Sequence, residues 1–191
     1  RAPEVVAGTP ADDTARYDQK VRDILASRCA GFTPDAVNLL RAHLTVTGGK
    51  LGGGERDAQS IFEYYVPAAA FPAQAHYVAL GHLHRRQHIP APCPVHYCGS
   101  PINVDFGEED NHSFALLVEA TPTTPASITE LPITSAVQLR TVKGTVAQLR
   151  ETAESYGDAR PRVIGDEPAR GGLGWAGPDC PPHALGVARA P

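Results

Sequence analysis

Tyr77-Val-Ala-Leu-Gly-His-Leu-His84 is a short apolar run that ends on a glycine and is followed at once by two histidines one residue apart. Such a run is too short for a helix, and its lack of alternation suits an interior strand covered on both faces. Gly81 lets the backbone turn out of the sheet at that point. In an extended segment residues i and i+2 point to the same side, about 6.6 Å apart along the chain. Placed so, His82 and His84 can each reach a different metal of a pair about 3.5–4 Å apart.

Upstream, Ala36 to Thr47 is β-branched and apolar and breaks at Gly48-Gly49. It reads as a buried strand that delivers His43, near its end, to a loop. Lys50 to Arg56, with Gly52-Gly53-Gly54, reads as a flexible loop, and Ser60 to Val66 as a strand stopped by Pro67, with a helical turn over Ala68 to Ala70. Further upstream, Asp12 to Ala30 has a capping aspartate at Asp12 or Asp13, an apolar stripe of Val21, Ile24 and Leu25, and Gly31 after its end, which predicts a helix.

Downstream, after the turn rich in proline (Pro90, Pro92, Pro94), Val95 to Cys98 and Ser113 to Glu119 are strand-like, with a Gly- and Pro-containing connection between them. Thr121 to Pro125 reads as a Thr/Pro linker and the best domain boundary. Beyond it, Ala126 to Pro132, Val137 to Val142 and Arg162 to Ile164 read as strands, and Thr145 to Ser155 as an amphipathic helix. Residues 165–191 are rich in Gly, Pro and Ala without periodicity, and irregular structure is expected there. No internal repeat is present.

With a net charge of −4 and a pI near 6.0, the chain does not coat nucleic acid through bulk charge. Any DNA contact has to come from local patches or a metal site. The cysteines Cys29, Cys93, Cys98 and Cys180 form no CxxC pair and read as free thiols. No apolar run approaches the roughly 18 residues of a membrane span, so a soluble cytoplasmic protein with no membrane partner is the expectation. The sequence contains no methionine, even at position 1, which suggests a piece of something longer.

Five of the eight histidines fall between His76 and His96, where an even spread would put about one. A lone histidine near a strand end, such as His43, is more often hydrogen-bonded in a core or at a surface than bound to metal. His76, His88, His96 and His112 show no partner spacing and read as surface or structural residues.

Taken together, the motifs narrow the field. Leu80-Gly-His-Leu-His84 resembles the last metal-binding motif of the calcineurin-like metallophosphoesterases, and Ala42-His-Leu-Thr-Val-Thr-Gly-Gly49 resembles the preceding one. Tyr97-Cys-Gly-Ser-Pro101 followed by Asp105-Phe-Gly-Glu108 is narrower and looks like the SbcD subunits of SbcCD exonucleases, as does Arg162 to Arg170. The fold this implies is α/β, of the α+β kind. It comprises a partial metallophosphoesterase β-sandwich with flanking helices over residues 1–120, a small α/β capping domain over 126–164, and an irregular tail over 165–191. The implied function is that of a DNA double-strand-break repair nuclease subunit, a metal-dependent exonuclease and endonuclease. Its implied partners are DNA and an SbcC-like ATPase, in a heterotetramer-type assembly.

The resemblance also implies two divalent metal ions, manganese, with His43 and His82 on one and His84 on the other. Arg85, Arg86 and Ser100 are candidate substrate contacts, and Asp105 and Glu108 are expected to shape the loop beside the metals. The departure is large, because the strand ending in Asp-x-His with which the family opens, its bridging Asp and its Gly-Asn-His-Asp motif have no counterpart ahead of His43. Three neutral imidazoles do not offset two divalent charges, so no catalytic residue is identifiable and the chain alone is expected to be inactive. Other readings are a non-catalytic module binding the ATPase or DNA, a single zinc held by the same three histidines, or a fragment of another calcineurin-like phosphoesterase. The metal readings share one geometric expectation, that the imidazole nitrogens of His43, His82 and His84 lie within about 8 Å of one another.

Overall fold

The computed structural model describes residues 10–55, 65–165 and 187–188. Helix α1 (Pro10–Cys29) opens on a proline, whose missing N–H a first helical turn does not need. Its Val21 and Leu25, one turn apart, pack on the core, and Leu25 is buried. The Phe32 N–H then closes a turn on the Cys29 carbonyl at 3.0 Å.

The segment 36–47 does not form one buried strand. It divides into β1 (Leu39–His43) and β2 (Thr45–Val46), and the two belong to different sheets. Strand β2 is fully buried and pairs in parallel with β3 (Tyr65–Val66), whereas β1 alternates between exposed and half-buried positions. Residues 60–64 of the expected strand lie outside the described residues. The helical turn at Ala68–Ala70 is present as a single 3-10 turn.

Strands β4 (Tyr77–Gly81), β5 (Gln87–Ile89) and β6 (Val95–Tyr97) complete a four-stranded sheet in the order β1-β4-β6-β5. Strand β4 is interior, as its apolar run requires, and is parallel to both neighbours. Strand β5 was not legible in a polar stretch, where Ile89 is the one apolar residue it buries. It is held by antiparallel pairing with β6. Val46, Phe71, Val78, Leu80, Leu83, Val95 and Tyr97 form the centre of the core, each no more than 3% exposed.

At the break between β1 and β2 the buried Tyr97 side chain arrives from β6. Its hydroxyl donates to the Leu44 carbonyl at 2.8 Å and accepts from the Val46 N–H at 3.0 Å. One phenol thus satisfies the backbone groups that a change of sheet would leave unpaired. Burial pushes the Tyr97 phenol up to about 12, although the Val46 N–H favours the ionised form.

The segment read as a Thr/Pro linker is the tip of a hairpin. Strands β7 (Phe114–Thr121) and β8 (Thr124–Pro132) pair antiparallel from Phe114↔Pro132 to Thr121↔Thr124. Thr121 closes the turn, its hydroxyl accepting from the Thr124 N–H at 3.1 Å. The hairpin is fastened to the four-stranded sheet by an Arg86–Glu130 ion pair and by the His76 Nε2 contact with the Pro122 carbonyl at 3.3 Å.

Strand β9 (Leu139–Gly144), helix α2 (Val146–Thr152) and strand β10 (Arg160–Gly165) form a parallel β-α-β unit. The Thr145/Gln148 capping box starts α2, and the remainder of the expected helix is a 3-10 turn over Ala153–Tyr156. Within the stretch expected to be irregular, Gly165 ends β10 and β11 (Val187–Ala188) pairs with β10, and the rest lies outside the described residues. The class is α+β with mixed sheets, compatible with a partial metallophosphoesterase fold. Among the described residues no helix is long and apolar enough to cross a membrane.

Tyr97→Phe leaves the Leu44 carbonyl and the Val46 N–H unsatisfied in the core. Urea denaturation is expected to show a loss of about 1–3 kcal/mol. Because the folded phenol is raised from 10.0 to about 12, its contribution is complete below pH 10 and is lost as pH rises toward 12. The phenylalanine variant is expected to show a shallower alkaline decline, with the raised Cys93 and Tyr77 still contributing.

Candidate functional site

His43 ends β1 in register with Gly81, which ends β4. A Cβ at position 81 would lie 2.9 Å from His43 Nδ1, so the imidazole rests on the bare glycine. The chain then turns sharply. His82 has φ +103°, among the described residues the one non-glycine position with positive φ. The extended geometry expected for His82 and His84 is therefore corrected, since a left-handed residue interrupts the two-residue alternation. Such a conformation in a non-glycine residue costs on the order of 1–3 kcal/mol and persists only when its surroundings hold it. Leu83, 2% exposed in the core, is the anchor directly behind it.

The turn brings the His82 ring edge-on to His43, with centroids 5.3 Å apart. Burial holds the His82 pKa below its ordinary value, repulsion from His43 and His84 adds to this, and Glu55 opposes it. The His84 ring is held elsewhere, its Nδ1 engaged by the buried carboxylate of Glu108.

Two carboxylates hold this segment. Glu55 accepts from the His84 N–H at 2.6 Å, from the Gly52 N–H at 2.8 Å and from the Gly53 N–H at 2.9 Å. Burial raises its pKa, but these backbone donors outweigh that and leave it below the ordinary value. Glu108, 1% exposed, places Oε1 on His84 and accepts from the Val104 N–H at Oε2, 2.8 Å away.

The loop at 50–55 is not flexible for want of contacts. A Cβ at Gly54 would lie 2.0 Å from Glu108 Oε1, and one at Gly53 would lie 2.4 Å from the Gly107 carbonyl. These glycines are there for close approach. Asn111 adds a bond to the Gly52 carbonyl at 2.8 Å. Asp105 caps the following 3-10 turn by accepting from the Gly107 N–H at 2.7 Å, which matches its expected role in shaping the loop.

On its far side the same turn meets the β-α-β unit. Phe106 lies under the Arg162 guanidinium at 4.8 Å, and Glu109 accepts from the Thr141 N–H.

The candidate substrate contacts differ among themselves. Arg85 is exposed. Arg86 is engaged by Glu130, and the Ser100 hydroxyl is spent on the Ile102 carbonyl at 2.6 Å. Glu55 had no legible partner in the sequence, because its donors are loop amides and a residue on another element. The Glu108–His84 pair was equally hidden, since the two residues are 24 positions apart.

As metal donors, His43, His82 and His84 are chemically suitable imidazoles, and the fold brings His43 and His82 together at the ends of two parallel strands, while His84 is turned to Glu108. They do not complete a centre. Among the described residues no group of three or more His, Cys, Asp or Glu side chains is arranged to hold a metal ion.

No protein-family model matches the chain. It is 36% identical over 124 residues to the SbcD subunit of the nuclease SbcCD from Bacillus subtilis (strain 168), covering 64% of this chain and 32% of that protein. It is 32% identical over 149 residues to the SbcD subunit of the same nuclease from Escherichia coli (strain K12), covering 76% and 35%. The chain is SbcD-like. It spans about a third of the length of these curated relatives.

Among the described residues of this SbcD-like chain, His76, His88 and His96 have structural contacts and His112 is exposed, in line with their lack of partner spacing. His76 accepts the Asn38 N–H at Nδ1, 3.0 Å away. His96, 8% exposed, stacks on Tyr77 with centroids 5.5 Å apart and faces His88 across the β5–β6 pair at 4.8 Å. Cys29, Cys93 and Cys98 are free thiols, and Cys180 lies outside the described residues.

Burial, with repulsion from His88 and Arg86, lowers the His96 pKa from 6.5 to about 4. A depressed pKa in a base means that the fold favours the neutral ring. The stability is complete above pH 6.5 and is lost as pH falls toward 4. Urea midpoints measured across that window are expected to drop with acid, and His96→Phe is expected to flatten the decline.

Proposed function

We propose that this chain is part of an SbcD-type DNA repair nuclease and carries three histidine ligands of its metal centre. The observation that carries the reading is the sequence likeness to the two SbcD proteins, combined with two histidines brought edge-on at the ends of paired strands. In this reading His43 and His82 bind one divalent ion and His84 the other, and the ions are manganese. A metal pair supplies charge stabilisation for the attacking and leaving oxygens of a phosphodiester.

The residues of this chain contribute position. Gly81 seats His43, the left-handed turn at His82 presents its ring to His43, and Glu55 fixes the backbone of His84. Arg85 is the candidate for a DNA phosphate. Arg86 is a weaker one, because a phosphate would have to displace Glu130. The parent protein cleaves DNA ends together with an SbcC-like ATPase, in a heterotetramer-type assembly, and residues 126–164 act as a cap that helps position DNA.

The carboxylate ligands have no counterpart in this sequence, so the isolated chain is inactive. Incubated with linear DNA and manganese, it is expected to release no nucleotides. Turnover that disappears on His84→Ala would overturn this account. In the full-length protein encoded by the gene, His43→Ala and His82→Ala are each expected to abolish cleavage. Arg85→Ala is expected to weaken DNA binding and to reduce its salt slope by about 1.

A further inference from the structure

Among the described residues, His84 is the one candidate ligand whose ring is held by a side chain buried as deeply as the core. A carboxylate has no hydrogen to give, so the Nδ1 nitrogen facing Glu108 must carry the proton. We propose that Glu108 is the positioning residue of His84, fixing the Nδ1–H tautomer and leaving Nε2 as the nitrogen with a free lone pair for a divalent metal. This rests on reading His84 as a ligand and adds what selects its ligating nitrogen. Metal-bound histidines characteristically give their other ring N–H to such an acceptor, which fixes ring orientation and raises ligand basicity.

Three independent features hold Glu108 in place. Its Oε2 accepts from the Val104 N–H at 2.8 Å, its own carbonyl accepts from Asn103 Nδ2 at 2.8 Å, and Gly54 packs against its carboxylate where no Cβ fits. A residue that served only to fill the loop would not need its second oxygen aimed at a histidine ring. Gly54 thereby acquires a reason of its own. Any side chain there displaces Glu108 and with it the partner of Nδ1.

The test reads the tautomer directly, by long-range proton–nitrogen NMR of the histidine rings in the full 191-residue chain, without metal, at a pH where the imidazoles are neutral. His84 is assigned by comparison with His84→Gln. Wild-type His84 is expected in the Nδ1–H form, and that signature is expected to be lost in Glu108→Ala and in Gly54→Ala, the latter leaving Glu108 itself intact. An Nε2–H tautomer in the wild type overturns the proposal, and this arm needs no variant to fold. Zinc alone is then titrated into the wild-type chain, and the His84 Nε2 resonance is expected to move. Apparent zinc affinity is expected to fall by about 10–100-fold in Glu108→Ala. The correct tautomer with a His84 signal that zinc leaves unmoved overturns the ligand reading instead, so the two failures are distinguishable.

Discussion

A strand that leaves one sheet for another has to shed its hydrogen bonds somewhere, and in this chain it does so at Leu44, inside the protein. The Val46 N–H there is buried and the Leu44 carbonyl partly so, and their satisfaction falls to the Tyr97 hydroxyl, which accepts from the first and donates to the second. The placement of His43 follows from this bridge. If β1 and β2 ran on as one strand, the residue at position 43 would continue a ladder instead of ending one beside Gly81. The core reinforces the same point, since Tyr97, Val46 and Val95 are all fully buried around the break. An aromatic ring there supplies both apolar area and a polar tip.

From that fixed end the site is assembled by carboxylates acting on backbone and ring. Glu55 gathers amides from its own loop and from His84, and Glu108 reaches the His84 ring from the other side. The two acidic residues come from loops far apart in sequence, and the glycines at 53 and 54 let those loops touch. The turn bearing Glu108 also touches β9 and β10 through Glu109 and Phe106. The histidine site and the β-α-β unit therefore share one short piece of chain.

Much of this was legible where a local rule governs. The apolar run of β4, the helix α1, the turn after Pro67 and the capped helix α2 all follow from residues within a few positions of one another. The sequence motifs also singled out His43 and His82, which the fold brings together. What escaped was decided at a distance. One continuous strand was expected over 36–47 because the demand for a break comes from Tyr97. Thr121 to Pro125 looked like a linker because threonine and proline suit linkers and hairpin tips alike. The triple glycine read as mobility when its cause was close approach, of Gly52 to His84 and Arg85, of Gly53 to Gly107 and of Gly54 to Glu108. Residues 82–84 read as extended because a positive φ at a histidine has no signature in composition. Glu55 and Glu108 carry no spacing that betrays their shared partner.

The left-handed backbone at His82 has a consequence for how that position can vary. Chemistry asks for an imidazole there, whereas the peptide geometry asks for a residue that tolerates positive φ. Histidine satisfies both, being among the few side chains enriched in that region along with asparagine and aspartate. Asparagine would keep the turn and lose the ring, while a β-branched residue would lose both. The two demands can therefore be separated by choice of replacement, and a drift toward valine at this one site would be felt as misfolding before it was felt as lost chemistry.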